Sequence, residues 1–235
     1  MPETNPFDPQ DMNGAIEALG ANLKSGWQLG LQMAVPEVGS LHQVVICGMG
    51  GSAIGGDFTT AYLAEKLPIP VVTHRNYGLP GWVRGPETLV ICSSHSGNTE
   101  ETLSSFNEAL QRGCSLMSIC TGGKLAGLST ENGKICWIFD HVGQPRTAIG
   151  WTVGLLLALF FRLGLIEDQS LAIDEAASIL AEGIQKLGKN SPVSSNPAKR
   201  LAGQLLERNI VIYGSGEMEV IARRWKAEIN ELAKA

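Results

Sequence analysis

Residues 44–57 read VVICGMGGSAIGGD, an apolar run rich in β-branched residues that breaks at Gly48 into a glycine loop and then into helix-forming sequence. An apolar run without polar alternation is the pattern of a short strand covered on both faces. Further runs of the same kind follow: PVVTH at 70–74, TLVICSS at 88–94, SLMSICT at 115–121 and KICWIFD at 134–140, with helical sequence between them. Continuous apolar strands separated by helices imply a parallel sheet with helices on both faces. The expected fold class is therefore α/β, a doubly wound parallel sheet flanked by helices.

Around this unit the chain divides into four expected parts. Residues 1–40 form a helical lead-in, because Ile16, Leu19, Leu23, Trp27 and Leu31 recur at helical spacing from about Asp11 to Met33, ahead of Pro36. Residues 41–190 hold the main domain, including an apolar helix over Trp151–Ile166 and another over Ala172–Leu187. Residues 191–207 are a linker and helix, since KNSPVSSNP at 189–197 is rich in Ser, Pro and Asn. Residues 208–235 open a second copy of the unit: RNIVIYGSGEME at 208–219 echoes the strand, glycine turn and helix start at 44–57.

Composition limits the partners. The net charge of −5 supplies no broad basic field for nucleic-acid phosphates, so an anion site has to be local and built from backbone and hydroxyl groups. The 5 cysteines are odd in number, lie mostly in apolar runs and lack metal-ligand spacing; they read as reduced, buried thiols, and no metal is expected. MPETNPFDPQD at the start carries acid and proline where a signal peptide needs a basic and then an apolar region, so a cytoplasmic protein is expected. WTVGLLLALFFRLGLI at 151–166 is shorter than the ~20 residues of a membrane span and contains Arg162; a buried helix is the better reading.

Two loops carry the chemistry. GMGGSAIGGD at 48–57 enters a helix, where free backbone N–H groups and the helix dipole favour an anion. Gly48, Gly50 and Ala53 also satisfy G-x-G-x-x-G/A, but the acid expected about 20 residues on in a dinucleotide site is absent; Thr73-His74-Arg75 stands there and would suit at best a 2′-phosphate. In SSHSGNTEET at 93–102, Ser94, Ser96 and Thr99 set three hydroxyls around Gly97 at a strand-to-helix turn. Alone, that pattern is equally an ordinary helix cap. Paired with a glycine loop after a neighbouring parallel strand, it points to one phosphate crevice.

GMGGSAIGGD, HRNYGLP, SSHSGNTEET and QPRTAIG, in this order, resemble the bifunctional phosphoglucose/phosphomannose isomerase family of the sugar isomerase (SIS) superfamily, over its amino-terminal two-thirds. The resemblance implies phosphate contacts from Ser52, Ser94, Ser96 and Thr99 with the Gly51 backbone, and places Arg146 of QPRTAIG near the reacting oxygens. It aligns Asn230-Glu231 with a family Asn-Glu-Asn, which makes Glu231 the candidate base, although Leu232 stands where the second Asn is usual. By pattern alone Arg146 is a surface-pairing loop residue, and Glu231 belongs to a solvated helix face. The implied activity is aldose-ketose isomerisation of hexose 6-phosphates through a cis-enediol, with no cofactor, in a homodimer. The alternatives are a non-catalytic sugar-phosphate-binding protein and an NADP-dependent oxidoreductase. The family's ring-opening histidine and its lysine match nothing up to position 235; His95 reads instead as a wall of the pocket. The chain is thus expected to bind sugar phosphate but to isomerise it weakly, and to self-associate through the apolar surfaces of 151–165 and 208–235.

Overall fold

The strands β1 (Gln43–Cys47), β2 (Val71–His74), β3 (Thr88–Ser94), β4 (Ser115–Cys120) and β5 (Ile135–Ile138) form one parallel sheet in the order β2-β1-β3-β4-β5. The structure, a computed structural model, describes residues 8–234; most of the acidic, proline-containing start and Ala235 lie outside them.

Alternation along each strand builds two cores. Val44 and Ile46 of β1, Leu89 and Ile91 of β3 and Met117 and Ile119 of β4 belong to one; Val45 and Cys47, Val90 and Cys92, and Leu116 and Cys120 belong to the other. This is the period of two that a pleated strand imposes. The first core is completed by α2 (Leu19–Gln32), α6 (Ile149–Arg162) and Leu63 at the end of α3 (Gly50–Tyr62); the second is completed by α4 (Glu100–Gln111) and α5 (Gly123–Glu131). The doubly wound α/β reading is therefore correct. All five cysteines are free, and four of them are buried.

The lead-in helix breaks at Ala18 into α1 (Met12–Glu17) and α2, with the Asp11 side chain accepting from the Gly14 N–H at 3.2 Å to start α1. α2 lies directly on α6: a Cβ on Gly26 would come 2.6 Å from the Trp151 carbonyl oxygen. That approach buries most of α6, including Leu155 through Phe160. The expected self-association through 151–165 is therefore corrected, since α2, α3 and the sheet already cover the apolar face of that helix. No helix among the described residues is long and apolar enough to cross a membrane. Arg162, which interrupts the apolar run, donates to the carbonyls of Gly30 and Met33 and so satisfies the carboxyl end of α2.

After α7 (Ser170–Leu187), Asn196 caps α8 (Pro197–Leu205) by accepting from the Lys199 N–H at 3.0 Å. The strand expected within 208–213 pairs with no strand of the sheet, and without a ladder it does not form. Val211 and Tyr213 are consequently exposed, Tyr213 to 90%. The helix expected beyond it does form, as α9 (Met218–Glu228) followed by one π turn over Ile229–Ala233.

Candidate functional site

β1 and β3 are adjacent, and the chain leaves them in opposite lateral directions, so the sheet order reverses between their carboxyl ends. That switch point is where a parallel sheet leaves an open crevice. The two loops singled out by their sequence meet there. α3 begins at Gly50 with no side-chain cap, and Thr99 is the N-cap of α4, likewise without a side-chain cap bond. Two helix starts with uncapped N–H groups thus converge, the arrangement that favours an anion.

The loop geometry depends on two glycines. Gly51 packs against the turn before α6: a Cβ there would sit 2.8 Å from the Pro145 carbonyl oxygen. Gly97 has φ +66°, and the Gly122 carbonyl occupies the place of its missing Cβ. Only glycine meets both conditions at position 97.

Hydroxyls line or brace this crevice. Ser52 Oγ accepts from the His95 N–H at 3.0 Å, which ties the two loops together. Ser96 is exposed, and its Oγ accepts from the Asn98 N–H at 3.2 Å. Ser94 is only 2% exposed; its Oγ lies 2.9 Å from Thr99 Oγ1 and accepts from the Gly97 N–H at 3.1 Å. Thr99 spends its hydroxyl on Ser94 rather than on the helix end, so the helix-cap reading of this motif is corrected. A cavity of about 240 Å³ is lined by Gly51, Ser52, His95, Ser96, Thr99, Arg146 and Glu231, among others. Ser94 is not part of its wall and reaches it through Thr99.

Arg146 stands on the 3-10 turn Pro145–Ala148 that leads into α6, and Glu231 on the π turn after α9. The Arg146 Nε–H donates to Glu231 Oε2 at 2.6 Å, with the arginine side chain 16% and the glutamate 45% exposed. Both face the same cavity; Arg146 is mostly covered there, while Glu231 stays open to solvent as its helix pattern suggests. α9 is fastened over the site by charge. Asp57 of α3 pairs with Arg223 at 3.0 Å and also with Arg75, and the Arg224 guanidinium donates to the Arg146 carbonyl at 2.8 Å. Glu228 lies 2.5 Å from Arg224; burial pushes its carboxyl up, Arg224 opposes this, and Glu231 adds to it.

One feature of the wall has no sequence motif behind it. His95 Nε2 lies 2.9 Å from His141 Nδ1, and His141 Nε2 lies 3.3 Å from Thr147 Oγ1, which donates to the Gln144 carbonyl at 2.8 Å. Burial holds both imidazoles below the usual histidine range, His141 adding to the effect at His95 and Asp140 opposing it at His141. Reading the sequence found His95 as a pocket wall but missed His141, Thr147, Asp57 and Arg224. Each is brought to the site by packing between distant elements, and a local motif records none of that.

Residues 194–235 match the family model of the bacterial phospho-glucose isomerase C-terminal SIS domain. The bifunctional phosphoglucose/phosphomannose isomerase of Caldicellulosiruptor bescii is 39% identical over 223 residues, which are 94% of this chain and 66% of that protein. The enzyme of the same name from Thermoplasma acidophilum is 37% identical over 197 residues, covering 83% of this chain and 57% of that protein. The Aquifex aeolicus enzyme of that name is 34% identical over 193 residues, covering 82% and 56%. The chain thus spans between 56% and 66% of the length of these three relatives. Among solved structures, the C-terminal domain of glucosamine-fructose-6-phosphate aminotransferase from Francisella tularensis superposes with a TM-score of 0.65 at 14% identity, over 96% of this chain and 66% of that one. Tagatose-6-phosphate ketose/aldose isomerase from Escherichia coli does so with a TM-score of 0.55 at 17% identity, over 92% and 58%. At such identities the structures speak for the fold alone, while the sequence relatives, aligned across most of the chain, place it: this chain belongs to the bifunctional phosphoglucose/phosphomannose isomerase family.

Proposed function

We propose that this chain carries the phosphate cradle, the base and the cationic residue of a hexose 6-phosphate aldose-ketose isomerase, interconverting glucose 6-phosphate or mannose 6-phosphate with fructose 6-phosphate. The observation that carries the reading is the convergence of Gly51, Ser52, Ser96, Thr99, Arg146 and Glu231 on one cavity from four separate segments of chain. The phosphoryl group sits on the uncapped starts of α3 and α4, held by backbone N–H groups and by the hydroxyls of Ser52, Ser96 and Thr99, with Ser94 fixing the Thr99 side chain.

Isomerisation then moves one proton between C1 and C2 of the open-chain sugar through a cis-enediol. It needs one carboxylate within reach of both carbons and a cation near the oxygens where charge develops. Glu231 supplies the first and Arg146 the second. At about 240 Å³ the cavity is smaller than the ~300 to 1,000 Å³ of most ligand clefts, so the sugar enters by displacing the Arg146–Glu231 ion pair. The reacting end of the sugar then takes up both halves of that pair. The names of the sequence relatives support this substrate class, and the net charge of −5 supports a reading without a nucleic-acid partner; a cytoplasmic enzyme with no membrane partner belongs to the same proposal.

Self-association as a homodimer belongs to the same proposal. The exposed side chains of Leu206, Val211, Tyr213 and Met218 supply its apolar surface in place of the buried α6. Light scattering that finds only monomer at micromolar concentration would set this aside. The reaction is tested by incubating the protein with fructose 6-phosphate in deuterated water. Deuterium appearing at C2 of the recovered aldose, and lost on Glu231→Gln, is the expected result; deuterium-free sugar, or exchange indifferent to Glu231, would overturn the assignment.

A further inference from the structure

The phosphate cradle contains no lysine or arginine among its loop residues, yet an imidazole forms part of its wall. His95 sits between Ser94 and Ser96, and its own N–H already binds Ser52. The side chain is held from behind. Because Thr147 Oγ1 donates to the Gln144 carbonyl, it accepts from His141 Nε2–H; His141 Nδ1 then accepts from His95 Nε2–H. This chain selects the Nε2–H tautomer of His95 and leaves Nδ1 with no protein partner among the described residues. The ring is also clamped by aromatic contacts: Phe139 meets it edge-on at 6.1 Å, and Trp151 stacks on Phe139 at 5.6 Å.

We propose that His95 is a contact of the bound phosphoryl group, neutral in the empty site and protonated on Nδ1 when a dianion occupies the cradle, with His141 as the residue that positions it. The inference rests on the reading of the cradle as a phosphate site. The proton comes from solvent and buffer, adds to the free lone pair, and turns Nδ1 into a charged donor toward a phosphoryl oxygen. In the empty site burial, and after it the neighbouring His141, disfavour a charge on His95. A dianion reverses that balance, because it is an opposite charge at contact distance in a partly dry site.

The surrounding charges are few. Arg146 and Glu231 share the cavity and neutralise one another; Asp140 adjoins His141; Asp11, ahead of α1, lines the neighbouring cavity with His141. Glu100 in the first turn of α4 accepts from the Tyr77 hydroxyl at 3.0 Å, and Lys124 begins α5 beside Asn98. None of these is a hydrogen-bond partner of His95; Glu231, freed when its ion pair opens, is the other group of the cavity able to take up a proton, and the variants below separate the two.

Calorimetry with sulfate separates this from the cradle assignment, because sulfate is a dianion that does not itself titrate near neutral pH. Titrations near pH 7 in buffers of different ionisation enthalpy read the protons taken up per sulfate. Uptake approaching one proton is expected for the unaltered protein, none for His95→Gln, and near-normal uptake for His141→Gln, whose amide oxygen can still accept from Nε2–H. His141→Ala should lower both the uptake and the affinity. Sulfate binding without proton uptake would overturn the role of His95 and leave the cradle standing, and failure to bind sulfate at all would remove both. Uptake that survives His95→Gln but disappears in Glu231→Gln would assign the proton to the carboxylate, against the proposal.

Discussion

Arg146 and Glu231, 85 residues apart in the chain, meet at 2.6 Å in the wall of the cavity between the two loops. Each blocks the other. On the proposed function, the Glu231 carboxylate stands in for a substrate's oxygens at Arg146, and Arg146 keeps the base from acting until sugar arrives. Replacing Glu231 with Gln should therefore lower isomerisation by ~100-fold to 10,000-fold, the usual contribution of a positioned base. The same change should leave sulfate or glucose 6-phosphate binding at least as tight as before. A coupled assay and calorimetry on one preparation check both halves.

Arg146→Lys should not restore what Arg146→Ala removes. The contact to Glu231 runs through Nε, a donor within the planar guanidinium that has no counterpart on a flexible lysine ammonium. Both variants should lose at least ~10-fold in kcat/KM, on the order of a charged hydrogen bond of about 1.5 kcal/mol or more. Full rescue by lysine would mean that only the charge matters.

Ser94→Ala should cost stability before it costs affinity. The Gly97 N–H is shared between the Ser94 hydroxyl and the Ser94 carbonyl, each at 3.1 Å, so the variant keeps the carbonyl and loses the hydroxyl's share together with the 2.9 Å contact to Thr99, a cost of about 0.5–1.5 kcal/mol. Thr99→Ala, at a partly exposed position in the cavity wall, should instead weaken sulfate binding with little change in the denaturation midpoint. Urea unfolding and anion titration of the two variants distinguish a brace from a contact.

Asp57→Asn should loosen the carboxyl-terminal segment without unfolding the sheet. Asp57 pairs with both Arg75 and Arg223, and the second pair helps hold α9, and with it Glu231, against α3. The expected result is faster proteolytic cutting within 206–217, where Leu206, Val211 and Tyr213 are already exposed, together with weaker isomerisation. A cutting rate equal to that of the parent would show that α9 is held by its apolar side alone.

Acid should destabilise the empty protein through His95 and His141. Both are held below the ordinary histidine value, so the folded state binds fewer protons than the unfolded chain between the folded and the unfolded pKa. Stability then rises with pH in that window and falls as pH drops below about 6.5. The effect is moderate because both rings are partly exposed. Thermal melts at several pH values should show this slope, reduced in His141→Gln, and sulfate should raise the melting temperature more at the acid end than at the alkaline end.

The α/β class and the five strands were legible in the sequence because each depends on local chemistry. A β-branched run between glycine turns can be recognised without its neighbours, and Gly97 with its flanking hydroxyls marks a strand-to-helix turn wherever it occurs. The phosphate loops belong to the same class of information: their backbone donors are set by where a strand ends and a helix begins. The tertiary structure alone decided which long-range partners those segments meet. Periodicity put Glu231 on a solvated face, and only the docking of α9 on α3 through Asp57 and Arg223 turns it toward Arg146. The apolar helix at 149–162 looked free to self-associate until α2, drawn close at Gly26, covered it. His95 and His141 carry no motif, since their 2.9 Å contact arises from the parallel return of the chain after β3 and after β5. Strand pairing makes the same point at 208–213: the residues have β-forming character, but a ladder needs a second strand, and no stretch of sequence can supply its own partner.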